Sequence, residues 1–161
     1  MSELYVIFRV AEAEYALSAA QVLQLESFSG VTAVPGTRSY VIGIVQVRGR
    51  IVPVVDLRLL FGYPPVEAVL DNRIIVVEVG SRTIGLRVDS SREVLKLEPE
   101  QVHPTPPLVV EQSRGFVLGV VRIGERLLML FDLAKVLGED LHDDPIHSLE
   151  DGHPGRLALP G

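Results

Sequence analysis

The chain has 161 residues, 47% of them apolar and 22% charged, enough apolar material for a core and enough charge for a soluble fold. A net charge of −6 argues against a nucleic-acid partner, since phosphate binding needs a cationic face. Cysteine is absent, which rules out a disulfide framework, a thiolate metal site and a cysteine nucleophile.

The opening MSELYVIF has neither a basic start nor a long apolar stretch, so no signal peptide is expected and the protein is expected in the cytoplasm. Leu4–Val10 reads as a strand that turns at Ala11-Glu12-Ala13-Glu14 and returns through Tyr15–Leu17. Ser18 is placed to cap one helical turn over Ala19-Ala20-Gln21 before a strand from Val22 to Phe28. Ile44–Val47 and Ile51–Leu57 flank Arg48-Gly49-Arg50, a second hairpin, and Leu57–Phe61 reads as a helical turn closed by Gly62. Tyr63–Asp71 contains prolines and marks a boundary. Beyond it come a hairpin over Arg73–Val79 and Thr83–Val88 and a strand over Arg92–Leu97. A long proline-bearing loop over Pro99–Ser113 precedes the closing strands Phe116–Ile123 and Arg126–Leu133. Residues 139–161, rich in Asp, His, Pro and Gly, are expected to be a disordered tail.

Two stretches of this pattern are the same pattern. Tyr40–Gly62 (YVIGIVQVRGRIVPVVDLRLLFG) aligns without a gap with Phe116–Gly138 (FVLGVVRIGERLLMLFDLAKVLG). Val41, Gly43, Val45, Arg50, Asp56, Leu57 and Gly62 meet identical partners in the second copy. Weaker echoes relate Tyr5–Val10 to Ile74–Val79 and Val22–Leu25 to Val94–Leu97. A repeat of this length implies two similar units packed together. Short strands joined by hairpins close most economically as barrels. The expectation is therefore an all-β chain of two small SH3-like five-stranded antiparallel barrels within one domain over 4–138, barrel one at about 4–66 and barrel two at about 71–138. The residues leave open whether Leu4–Val10 stays in the first unit or crosses over to complete the second.

Catalytic chemistry is hard to assemble from these residues. His103 lies in a loop, and His142, His147 and His153 lie in the tail, where no ordered core would fix metal-ligand geometry. Asp56, Asp89 and Asp132 each follow an apolar strand and read as strand-end caps; an acid–base pair would need two of them in one cleft. No catalytic residue, metal site or cofactor is assigned. Arg50 recurs as Arg126 and reads as structural, whereas Arg48 aligns with Gly124. The fold therefore does not ask for an arginine there, and Arg48 reads either as a docking residue or as a solvated turn charge.

Tyr40–Arg58, of the form YxIGIVxxRGxIVPVVDLR, resembles the most characteristic stretch of the CheW family, the coupling proteins of bacterial chemosensory arrays. The ordered similarity runs from about Leu4 to Gly138, through Glu14–Leu17, Val22–Leu25, and Ile84–Asp89 followed by Glu93–Leu95. The resemblance implies two SH3-like barrels and a non-enzymatic adaptor. Its implied partners are the cytoplasmic tips of methyl-accepting chemoreceptors and the regulatory domain of a CheA-type histidine kinase, with no membrane insertion of its own. By position it implies partner contacts at Arg48, Val22, Gln24, Gly43, Ile74, Ile75 and Gly85. The chain departs from the family pattern at Gln46 and Val47, where Asn-Leu precedes the Arg-Gly, and at Gln24, where glutamate is common. With no receiver segment following and no kinase module preceding, neither a CheV-type protein nor an intact CheA is expected. Other readings of the same residues are a receptor-binding array organiser without kinase activation, a groove-site hydrolase, and a small-molecule sensor with a closed pocket between barrels.

Overall fold

A computed structural model of the chain describes residues 2–36 and 40–135; the tail expected over 139–161 lies outside the described residues. Eleven strands carry the fold. They are β1 (Glu3–Val10), β2 (Ala13–Ser18), β3 (Val22–Ser27), β4 (Val41–Val47), β5 (Arg50–Asp56), β6 (Arg73–Val79), β7 (Arg82–Val88), β8 (Ser90–Leu97), β9 (Val102–His103), β10 (Val117–Ile123) and β11 (Arg126–Phe131). One helical turn, α1 (Leu57–Leu60), follows β5, and a short helix, α2 (Pro107–Gln112), precedes β10. The strands and turns lie close to where the residue pattern puts them. In the Pro99–Ser113 loop the structure adds a 3-10 turn at Pro99–Gln101, β9 and α2.

The caps behave as their chemistry predicts. Ser18 Oγ accepts from the Ala20 N–H at the start of the Ala19–Gln21 3-10 turn. Asp56 accepts from the Arg58 N–H at the start of α1, and its repeat partner Asp132 accepts from the Lys135 N–H. Asp89 differs: it accepts from the N–H of Ala11, in the distant β1–β2 turn.

The strands form two sheets, each curled into a small barrel, with orders β8-β1-β2-β11-β10-β9 and β3-β6-β7-β5-β4. The division at about 66 to 71 is therefore not the one the barrels make. The first barrel joins β1 and β2 to β8–β11, and the second joins β3–β5 to β6 and β7. Within either repeat only strands that follow one another in sequence pair: β1 with β2, β4 with β5, β6 with β7, β9 with β10, and β10 with β11. The remaining junctions all join one repeat to the other. They are β1 with β8, β3 with β6, and the parallel pairs β2 with β11 and β5 with β7. The repeats have exchanged their leading hairpins. Hairpin pairing is local and turn-encoded, whereas these junctions depend on which distant apolar faces can be buried together.

The exchange is nearly two-fold symmetric in its details. The parallel register puts Leu130 opposite Ala16 in one barrel and Val54, its repeat counterpart, opposite Gly85 in the other. A bulge falls between Val41 and Gly43 in β4 and again between Val117 and Gly119 in β10. Three apolar cores result. One fills each barrel, around Ile7, Leu97, Val121 and Leu128 in the first and Val52, Val54, Ile74 and Val76 in the second. The third lies between the sheets and takes Val6, Phe8, Leu17, Val41 and Val55 from the first repeat and Ile75, Val77, Leu86, Phe116 and Phe131 from the second.

Candidate functional site

The tip of the β4–β5 hairpin is a two-residue turn in which Arg48 (φ 52°) and Gly49 (φ 78°) both take left-handed backbone conformations. Such turns match the twist of the flanking strands, and Asn or Gly normally fills their first position. An arginine there costs on the order of 1 kcal/mol. The equivalent β10–β11 turn has Gly124 (φ 60°) at that position. Arg48 is exposed and, among the described residues, has no hydrogen-bond or ion-pair partner. Arg50 instead turns its guanidinium to Thr83 Oγ1 at 2.9 Å. Gln46 faces Ile51 across the hairpin, and Ile51 is 68% exposed. The tip thus offers a cation, an amide and an aliphatic side chain, a combination suited to an interface anchor.

The other residues expected to touch partners are placed differently. Gln24, Val76, Gly85, Val54 and Gly43 form one cross-strand row through all five strands of the second barrel. Val54 and Val76 of that row are fully buried in the barrel interior. Gly85 is in the row because a Cβ there would stand 2.7 Å from Ile74 Cγ2, and Gly43 because a Cβ would stand 2.2 Å from the Thr32 carbonyl oxygen. Ile74 and Ile75 are both fully buried, one inside the barrel and the other in the core between sheets, as adjacent residues of a strand must alternate. Gly43, Gly85, Ile74 and Ile75 therefore shape the barrel and offer no side chain to its surface.

Val22 and Gln24 are half-buried on β3, an outer strand of this sheet. Val22 packs against the shared core. The Gln24 Oε1 atom is buried with no hydrogen-bond partner. Beside them Leu23 and Leu25 are 43% and 44% exposed, and the sequence reading did not single them out. Their signal was present: Val22–Leu25 carries aliphatic residues on both sides of a strand that has only one face to bury. The loop after β3 is tied back to β4, the other outer strand, by hydrogen bonds between Thr32 and Ile44. Arg48, Ile51, Gln46 and the Leu23–Leu25 edge thus belong to one barrel and make up its candidate partner surface.

Charged groups elsewhere are committed to structure. Arg87 is buried and donates to Asp56 at 2.9 Å and to Asn72 Oδ1 at 2.9 Å, with its guanidinium 4.3 Å over the Phe28 ring. Arg126 donates to both oxygens of Glu14 and also reaches Glu93, and these hydrogen bonds push its pKa further up. His103 is exposed on β9, paired through its backbone with Val120. Neither the Asp56–Arg87 pair nor the Arg126 cluster leaves a proton-transfer group facing a nucleophile, so no acid–base constellation forms around them.

An open cleft of about 260 Å³ lies beside α2, lined by Tyr15, Phe61, Tyr63, Phe116, Met129 and Arg114 among others. Its floor is an aromatic cluster in which Phe8 stacks on Tyr15 and Phe131 meets both edge-on. Burial, with Tyr63 nearby, pushes the Tyr15 hydroxyl up to about 12. Among the described residues no helix is long and apolar enough to cross a membrane.

The CheW-like domain family matches residues 4–141 of the chain. The chain is 32% identical to chemotaxis protein CheW of Klebsiella aerogenes over 136 residues, which is 84% of this chain and 82% of the relative. It is 30% identical to chemotaxis protein CheW of Bacillus subtilis, over 86% of this chain and 88% of the relative. Among solved structures it resembles the scaffolding protein TtCheW from Thermoanaerobacter tengcongensis, with a TM-score of 0.75 and 31% identity, covering 83% of this chain and 86% of that one.

Proposed function

This chain belongs to the CheW-like domain family, and we propose that it works as a non-enzymatic scaffold coupling methyl-accepting chemoreceptors to a CheA-type histidine kinase. In this reading the kinase's regulatory domain and the receptor's cytoplasmic tip are its partners, and it reaches the membrane only through the receptors. The observation that carries the reading is Arg48. A left-handed arginine with no partner among the described residues occupies a turn where the second repeat has glycine, so the fold gains nothing from it. The Leu23–Leu25 edge and Ile51 supply exposed apolar surface on the same barrel. Val22 and Gln24 belong to that edge as its half-buried members.

Titration calorimetry of the purified protein against the kinase's regulatory domain, with Arg48→Glu in parallel, tests this. The expected result is saturable one-to-one binding that Arg48→Glu weakens by about 1–3 kcal/mol, with an unchanged melting temperature. Unchanged affinity of Arg48→Glu for both kinase and receptor tip removes Arg48 from the surface. Receptor binding without kinase binding makes the protein an array organiser instead.

A further inference from the structure

The sheets of this protein contain no junction between non-consecutive strands that stays within one repeat. Taken alone, the first repeat holds the hairpins β1–β2 and β4–β5 with a lone β3 between them. The second holds β6–β7 and β10–β11, with β8 unpaired by anything of its own repeat. Isolated two-stranded hairpins are at best marginal in water. The core between the sheets likewise draws on both repeats, so neither could bury Phe8, Leu17, Leu86 or Phe131 by itself.

Polar contacts follow the same division. Arg126 to Glu14, Arg50 to Thr83, Arg87 to Asp56, Arg114 to the Leu60 carbonyl and Ser91 to the Ile7 carbonyl all run from one repeat to the other. They converge most tightly at Asp89, where the chain leaves β7 for β8. Its carboxylate accepts from the Ala11 N–H at 2.8 Å and from Arg58 Nε at 3.0 Å, and its own N–H donates to the Arg9 carbonyl at 2.9 Å. Asn72 Nδ2 donates to the Asp89 carbonyl at 3.1 Å. Arg58 precedes the connection between the repeats and Asn72 follows it, so Asp89 holds both of its ends.

The connection itself does little. Residues 62–71 are exposed without interruption and form no helix or strand. Contacts of this segment sit near its ends, as in the Tyr63 N–H to the Arg58 carbonyl and the Val69 N–H to Asn72 Oδ1. Pro64 to Ala68 take no part in any hydrogen bond or ion pair described here.

We propose that the two repeats are an obligate hairpin-exchanged pair, each the specific binding partner of the other, and that residues 64–68 serve only as a tether between them. The surface by which each recognises its partner consists of the open edges of β1, β2, β3 and β5 on one side and of β8, β11, β6 and β7 on the other.

The test inserts a protease recognition sequence between Val66 and Glu67 of the full chain and cuts the folded protein. Gel filtration and circular dichroism are run before and after cutting. The expected result is one species at the uncut elution volume with an unchanged strand spectrum. Its single melting transition should rise with protein concentration, because the fold has become a bimolecular complex. Two separating species, or loss of the strand spectrum on cutting, would overturn the proposal, and so would failure of the uncut insertion variant to fold. Asp89→Ala should raise the dissociation constant of the cut pair about tenfold or more, since it removes charge-assisted bonds between repeats. An unchanged constant would show that the Asp89 junction does not hold the pair.

Discussion

The two barrels share a strand order and matching registers, and they differ at three places. At the tip of the last hairpin one carries Arg48 and the other Gly124. At the end of the returning strand of the exchanged hairpin, Arg87 stands opposite Ile74 in one barrel while Ser18 stands opposite Tyr5 in the other. Between the third strand and the last hairpin, one barrel has a plain loop and the other the insertion that contains β9 and α2. What recurs in both, namely Gly43 with Gly119, Asp56 with Asp132 and Arg50 with Arg126, meets a demand of the backbone or of strand ends. What does not recur is available for another use. For Arg87 that use is a buried ion pair specific to one barrel; for Arg48 it is a surface.

Breaking this comparison should have its largest effect at Arg87. Arg87→Met leaves Asp56 buried without its cation and should cost about 3–5 kcal/mol in urea denaturation. Ser18→Ala, at the matching place in the other barrel, loses only an exposed cap and should cost about 1 kcal/mol. Similar losses at the two sites would mean that the ion pair adds nothing beyond a cap.

The bulge glycines come next. A Cβ at Gly43 would stand 2.2 Å from backbone, which can move only with the strand, so Gly43→Ala should cost about 3 kcal/mol or more. At Gly119 the nearest atoms are the Val102 side chain at 2.9 Å and the His103 carbonyl oxygen at 3.1 Å, and Gly119→Ala should cost about 1–2 kcal/mol. Equal midpoints for the two variants would contradict the difference in packing.

A third contrast is one of pH. Tyr15 stands opposite Phe8 as Ile84 stands opposite Val77, so only one barrel has an ionisable group at this place in the shared core. The folded pKa of Tyr15, about 12, lies above the ordinary 10.0, so the folded state holds this proton more tightly than the unfolded chain. The contribution is complete below pH ~10 and is lost as pH rises through about 12, amounting to roughly 2–3 kcal/mol. Denaturation midpoints of Tyr15→Phe should therefore fall less steeply than wild type over that range, and parallel profiles would remove Tyr15 as the cause.

The smallest effect sharpens the comparison by making the barrels alike. Arg48→Gly gives the first hairpin the residue of the second and should stabilise the fold by about 1 kcal/mol while weakening partner binding. A gain in stability with full binding retained would leave the arginine without a role.

The residue pattern made much of this legible. Alternating Val, Ile and Leu set the strands, and Arg48-Gly49, Gly80 and Gly124 set the turns. The gapless repeat made Arg48 stand out, because only a second copy shows which residues the fold can do without. α2 was not legible, since Pro-Leu-Val-Val carries β-branched residues that favour strands over helices. Gly43, Gly85, Ile74 and Ile75 were correctly seen as unusual positions, but their burial depends on Thr32, Val54 and neighbouring strands distant in sequence.

By itself, then, the sequence determined the local order of the molecule: which segments extend, where they turn, which aspartates cap them, and that the plan is executed twice. These follow from backbone sterics, side-chain alternation and short-range hydrogen bonds, all of which act within a few residues. The tertiary structure alone decided which strands share a barrel. Either repeat's hairpin could satisfy either set of three strands, since the echoing strands present near-equivalent apolar faces. The choice fell to burial of a common core and to the contacts at Asp89, Arg87 and Arg126, which exist only once both repeats are folded together.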